Sequence, residues 1–373
     1  KMIIIIVSLI LFLLFLISNN KNKKRIGIIS FILFASILLL TNGQFQGNDY
    51  PQYLNFYLGK SSMYGDLDIV GGYDLEKPYA YFVKIIRFIL PEAPYSYILC
   101  YALMWLIPLY VLLKKCSNNI PLSLFLICTV LNCSQLLFMI TAQRQMIATV
   151  SFIWIYYIIK FTNLKRKSKI ILIAALSILA LFAHSSSYFV LPLLLGLYFL
   201  KIPSKKILYL LVIISFIVGP AAQQYFGTLL NGLIISFGSS EEIARSTSYF
   251  IKGMYDFGGM TYLGLLPTTL ACLIFIYFYD KEGINNYGTK CFTFAVIFFN
   301  IFNSVPLISR GLNVFFLLGA ILGIPYIKNK NSAFKMKLLF LVVAAGLIYS
   351  TINQYQVGST TNGIFPYPYI WDN

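Results

Sequence analysis

The chain has 373 residues, of which 59% are hydrophobic and only 11% charged, against about a quarter charged in ordinary soluble domains. That balance excludes a soluble globular fold, because too few polar side chains exist to cover an aqueous surface. The net charge of +17 would suggest nucleic acid on a soluble protein. Here the basic residues sit in short clusters between apolar runs, as in cytoplasmic loops, and no nucleic-acid partner is expected.

Taken in chain order, the apolar runs predict an all-α, polytopic integral membrane protein of about twelve transmembrane helices. They fall at roughly 2–18, 26–41, 97–113, 121–140, 146–159, 169–183, 188–200, 206–220, 261–279, 291–306, 311–327 and 337–350. Several are shorter than the roughly 20 residues of a standard span, which suggests tilted or broken helices. The first run has a single basic residue before it and no small-residue cleavage site after it, so it reads as a span rather than a signal peptide. No linker divides the chain, and residues 1–373 are expected to form a single transmembrane domain.

Orientation follows from lysine and arginine. One set of loops, from Lys21 to Lys337, holds 20 of the 29 basic residues. The positive-inside rule makes these loops cytoplasmic and places both termini outside. Two polar segments, about 41–96 and 221–260, are then extracytoplasmic. Each carries a stretch suited to a short interfacial helix. Tyr79 to Leu90 spaces Lys84 and Arg87 three apart among apolar residues. Leu229 to Phe237 is apolar but too short to span, so it is expected to be interfacial or re-entrant.

The polar residues that break this pattern lie at the extracytoplasmic ends. The first loop carries Asp49, Asp66, Asp68, Asp74 and Glu76 among many tyrosines. Carboxylates of this kind can deprotonate a sugar hydroxyl, and aromatic faces stack on sugar rings. Asp66-Leu-Asp68 has the spacing of metal-bound nucleotide-sugar enzymes, but nucleotide sugars are cytoplasmic. Arg144 sits in a short connection, Thr141-Ala-Gln-Arg-Gln145, between two apolar runs. An arginine there either snorkels to the headgroups or grips an anion, for which its planar fork suits phosphate. Arg310 mirrors it at Pro306-Leu-Ile-Ser-Arg310. His184, the single histidine, ends an apolar run and is followed by three serines. It either caps a helix or serves as a proton carrier or phosphate donor. With one histidine and no paired cysteines among Cys100, Cys116, Cys128, Cys133, Cys272 and Cys291, neither metal nor cofactor is expected.

Four stretches give this layout a resemblance. Gly47-Asn-Asp-Tyr-Pro-Gln-Tyr53, Tyr73-Asp-Leu-Glu-Lys-Pro-Tyr79, Gln143-Arg-Gln-Met-Ile-Ala148 and Leu179-Ala-Leu-Phe-Ala-His-Ser-Ser186 are similar to motifs of the EpsG family. That family lies within the Wzy-type bacterial polysaccharide polymerases that build O-antigen, capsule or exopolysaccharide. The resemblance runs in order from about residue 40 to 320. It implies an inner-membrane enzyme that joins oligosaccharide repeat units carried on undecaprenyl pyrophosphate, at the extracytoplasmic face. Its partners are then the lipid-linked oligosaccharide and the bilayer, with room for a chain-length regulator and a flippase. In this reading Arg144, Gln145 and Arg310 bind the pyrophosphate. The catalytic residues are Asp49, Glu76 and His184, with the base left open among them. The rival functions are a flippase or transporter of the same lipid-linked unit, and a lipid-dependent glycan ligase or single-sugar transferase.

The orientation is testable. In a cysteine-free background, single cysteines at Asp49, Glu76, Arg245 and Trp371 are expected to react with an impermeant maleimide on intact cells, and those at Lys165 and Lys205 only after permeabilisation. An unreactive Trp371 position would break the twelve-span topology.

Overall fold

The computed structural model describes residues 2–19, 21–42, 57–58, 77–117, 119–129, 139, 143–184, 186–202, 204–237, 262–279, 283–302 and 306–322. Among these residues the regular structure is helical: α1 (Met2–Ile17), α2 (Lys23–Asn42), α3 (Lys77–Ile89), α4 (Pro94–Cys116), α5 (Ile120–Thr129), α6 (Gln143–Phe161), α7 (Arg166–Ala183), α8 (Ser187–Phe199), α9 (Lys205–Phe237), α10 (Tyr262–Phe278), α11 (Tyr287–Phe302) and α12 (Pro306–Leu322). Every expected span up to residue 327 meets one of them. The run at 337–350 lies outside the described residues.

Length separates these helices. Among the described residues, α4 and the first 21 residues of α9, Lys205–Tyr225, are long and apolar enough to cross a membrane alone, while seven further apolar helices reach only 10–17 residues. Seventeen residues rise about 25 Å, less than the roughly 30 Å hydrocarbon core. Among the described residues twelve helices are present, and two of them have the length and composition of a full crossing.

The surface shows what surrounds the bundle. Helix α7 buries only Ala180 and Ala183 and turns large apolar residues outward, with Ile171 67% exposed. Leu263 on α10 is 80% exposed. A water-facing helix would show the reverse, and apolar exposure on this scale requires a lipid solvent. Helix α3 occupies the expected interfacial stretch. It buries Tyr79, Val83 and Ile86 and exposes Tyr81, Lys84, Ile85 and Phe88, so one stripe packs inward and an apolar-basic stripe faces out.

Helices α9, α10 and α11 are locked by buried polar groups, since apolar contact alone gives little association in lipid. The Asn300 side chain on α11 donates to Ser215 Oγ on α9 at 3.0 Å and lies 3.4 Å from Thr269 Oγ1 on α10. Gln223 of α9 donates to the Asn300 carbonyl at 2.7 Å. Gly219 makes this approach possible, because a Cβ there would stand 2.7 Å from the Asn300 carbonyl oxygen.

The expected end of a span at Pro220 and a separate element at 229–237 are both corrected. Helix α9 continues through Pro220 to Phe237, 33 residues in all, a rise of about 50 Å. Proline removes one backbone donor without ending the helix, because Gly219 and Gln223 tie this turn to α11 on either side of it.

Helix α8 is anchored at its C-terminal end. Buried Lys290 donates to the carbonyls of Leu200 at 2.8 Å and Tyr198 at 3.3 Å, which places a cation on the negative end of the helix dipole. Asn285 exchanges two hydrogen bonds with the Ile202 backbone, at 2.8 and 3.1 Å, and Tyr287 donates to the Leu194 carbonyl. The opposite end of α8, beginning at Ser187, is thereby held in place.

Gly219→Ala is expected to destabilise the purified protein by about 1–3 kcal/mol, read as a lower melting temperature in scanning fluorimetry. Gly196→Ala on α8 is the control. Nothing lies within 4 Å of a Cβ at that position, so helix propensity should leave stability unchanged or slightly raised.

Candidate functional site

Three helix ends meet where α7 hands over to α8. His184 caps α7 in an extended conformation, φ −161° and ψ 135°, and its N–H still bonds the Ala180 carbonyl. The chain then turns, and Ser186 stands as the residue before α8 with helical φ/ψ. A serine here ordinarily offers its oxygen to the first N–H groups of the helix. Ser186 makes no such cap. Its hydroxyl instead lies 2.8 Å from His184 Nδ1, and its backbone N–H donates to the same nitrogen at 3.1 Å. From α6, Gln145 Nε2 donates to Ser186 Oγ at 3.2 Å.

Gln145 and Ser186 are both buried and His184 is half-buried. Hydrogen bonds shielded from water in this way are stronger and costlier to break than exposed ones. Ser187, the first residue of α8, is fully buried, and its hydroxyl has no hydrogen-bond partner among the described residues. An unmet buried hydroxyl costs about 1–3 kcal/mol and leaves hydrogen-bonding capacity at this turn.

The two arginine-bearing helix starts converge on this turn. Arg144 is the second residue of α6, next to the Gln145 that bonds Ser186. Arg310 lies in the first turns of α12, next to Gly311. A Cβ on Gly311 would stand 3.0 Å from Val190 and 3.1 Å from Phe189 on the first turn of α8. Thus the neighbour of each arginine touches the start of α8. Both local expectations are corrected in one respect: these arginines are not in turns. Gln143 already opens α6, and Pro306 opens α12, where a proline at the first position has a fixed φ suited to the helix and no donor to waste.

A ladder of tyrosines leads towards the same end of the bundle. Tyr57 donates to the Pro91 carbonyl at 2.9 Å, and burial pushes its phenol above the ordinary range, which keeps it a neutral donor. Its ring lies 5.1 Å from that of Tyr97. Tyr97 shares a 2.6 Å hydrogen bond with Tyr79 on α3 and stacks on Tyr101. Tyr101 donates to the Met139 carbonyl at 2.7 Å, four residues before α6 begins. Through these contacts the start of α3, which directly follows Glu76 in sequence, is connected to the segment that leads into Arg144. Tyr97 and Tyr101 escape a motif-based reading. Their spacing of four on α4 puts them on one helix face and is the signal that marks them.

The structure therefore brings together Gln145, His184 and the helix turns of Arg144 and Arg310. Asp49 and Glu76 lie outside the described residues, as do Asp66 and Asp68.

A model of the EpsG family matches residues 27–369, nearly the whole chain. No curated protein and no solved structure matches it.

Proposed function

Since the chain belongs to the EpsG family, a polymerase-like membrane family of polysaccharide biosynthesis, we propose that it elongates a bacterial surface polysaccharide from undecaprenyl-pyrophosphate-linked oligosaccharides. The reaction takes place at the extracytoplasmic face of the inner membrane. The acceptor hydroxyl attacks the anomeric carbon of the growing chain. The bond from that carbon to the diphosphate oxygen breaks, and the lipid diphosphate leaves with the bonding electrons. The hydroxyl proton passes to Asp49, Glu76 or His184.

The observation that carries this reading is the convergence of two arginine-bearing helix starts on the His184–Ser186 turn. A leaving diphosphate gains negative charge in the transition state. Guanidinium forks pair with phosphate oxygens two at a time, and donors fixed in advance near developing charge are worth roughly 3 kcal/mol each. Arg144 and Arg310 fill that role, with Gln145 beside them. The lipid carrier explains why the site lies at the end of a bundle whose outer faces are apolar. The donor is already activated, so no nucleotide-binding domain is called for.

A deletion strain tests the reading. Loss of long chains while single repeat units still reach the surface marks a polymerase. Loss of all surface glycan marks a flippase, and normal chains left unattached mark a ligase. In the complemented strain, Arg144→Lys and Arg310→Lys are each expected to reduce elongation about a hundredfold with membrane levels unchanged, because lysine keeps the charge but loses the fork. Near-normal chain lengths in both variants would sink the shared diphosphate site.

Elongation by the purified protein is expected to survive EDTA, with arginines in place of a metal's charge. Loss that magnesium or manganese restores would bring in Asp66 and Asp68 as ligands.

A further inference from the structure

We propose that Ser187, the first residue of α8, is a binding residue whose hydroxyl donates to a phosphate oxygen of the lipid-linked donor. The inference deepens the polymerase reading and rests on it for the ligand, while the unmet hydroxyl belongs to the fold itself.

Ser187 heads the inward face of α8. Ser187, Val190, Leu194 and Leu197 are the buried residues of this helix, and their spacing of three, four and three keeps them on one face. Val190 shows what that face meets. Its Cγ2 lies 3.0 Å from the position a Cβ would take on Gly311 of α12. Ser187 stands one turn earlier on the same face. The Cα–Cβ bonds of a helix tilt towards its N-terminus, so the Ser187 side chain is carried towards the start of α8 and not down the bundle.

Three backbone donors at this helix end are already engaged. The Ser187 N–H bonds the His184 carbonyl at 3.0 Å, and the Phe189 and Val190 N–H groups share the Ser186 carbonyl at 3.1 and 2.9 Å. The Ser187 hydroxyl is not engaged. It is fully buried and makes no hydrogen bond among the described residues. Bulk water does not reach it, and a side chain this short cannot swing out to find solvent. An alanine would fill the place without leaving a donor unmet. The hydroxyl is satisfied when a partner enters the turn.

The surroundings select an anionic acceptor. The start of α8 is the positive end of its dipole, which favours an anion. Helices α6 and α12 each carry an arginine in their opening turns. A phosphate oxygen is negative and only accepts, so it suits the dipole and the hydroxyl together. A sugar hydroxyl is neutral and gains nothing from the dipole. Since Ser187 is shielded, the phosphate reaches it by displacing the atoms that cover the turn, and the bond then forms out of water, where it is stronger.

The consequence is a pair of effects with opposite signs. Ser187→Ala removes an unmet donor, so the melting temperature of the purified full-length protein is expected to stay level or rise. Its affinity for farnesyl diphosphate, read by titration calorimetry in detergent, is expected to fall about 10–100-fold, the effect of one hydrogen bond to a charged group. Farnesol, the same tail without phosphates, should bind both proteins alike. Ser187→Cys nearly keeps the volume but has a weak donor, and should show the same loss. Dioleoyl phosphatidylglycerol should compete poorly with farnesyl diphosphate. Unchanged affinity in both variants, an equal loss for farnesol, or a melting temperature that falls along with the affinity would each overturn the proposal. So would equal competition by dioleoyl phosphatidylglycerol, which marks a phospholipid headgroup site, or an unaltered protein that does not bind farnesyl diphosphate. Binding is read without turnover, so its failure and a failure of polymerisation in cells are separate results.

Discussion

The α7–α8 turn is held by one serine hydroxyl, that of Ser186, which lies within hydrogen-bonding distance of both His184 Nδ1 and Gln145 Nε2. It joins the ends of three helices, α6, α7 and α8. Had Ser186 capped α8 in the usual way, the imidazole and the Gln145 amide would both have lost this contact. The arrangement costs α8 a conventional cap. It is offset by the Phe189 and Val190 N–H groups, which both reach the Ser186 carbonyl, at 3.1 and 2.9 Å, and by the Lys290 and Asn285 contacts that hold the far end of the helix.

The same economy governs the rest of the bundle. Lipid offers no hydrogen bonds, so polar side chains inside it must find one another. Asn300 meets Ser215 and Thr269, and the Gly219 turn lets two backbones approach closely enough for Gln223 to reach across. Phe298, two residues from Asn300, lies 6.2 Å from Phe189. The polar lock of α9, α10 and α11 is therefore mechanically continuous with the start of α8, and shape is transmitted to the His184 turn by packed rings.

Much of this architecture is written in the sequence as apolar runs and punctuation. Spans such as 169–183 and 188–200 match α7 and α8 to within a few residues, because a long apolar run has few other ways to satisfy its backbone. Prolines punctuate this chain less sharply than their local chemistry suggests. Pro220 reads as a stop and is not one, since its neighbours Gly219 and Gln223 bind α11. Pro306 reads as the close of one span and is the first residue of the next helix. At the site, the Arg-Gln and His-Ser stretches each announce chemistry, but nothing in their order reveals that Gln145 touches Ser186, 41 residues away. That contact depends on how α6 and α7 pack, and helix packing is set by side-chain shape summed over whole faces rather than by a local motif. The tyrosine ladder was half legible: Tyr57 and Tyr79 stand out in an acidic loop, whereas Tyr97 and Tyr101 are hidden among the apolar residues of α4.

On the proposed reading, an uncharged donor such as the Gln145 amide is the better companion for two arginines. A polymerase must release its lipid diphosphate after each transfer, and a third full positive charge would hold product as firmly as transition state. Binding both states equally lowers the barrier by nothing. A donor that carries no net charge adds a directed hydrogen bond, which strengthens as charge builds on the oxygen it faces, and contributes little to the ground-state attraction. Two fixed guanidinium groups beside uncharged donors thus favour the transition state over the bound product.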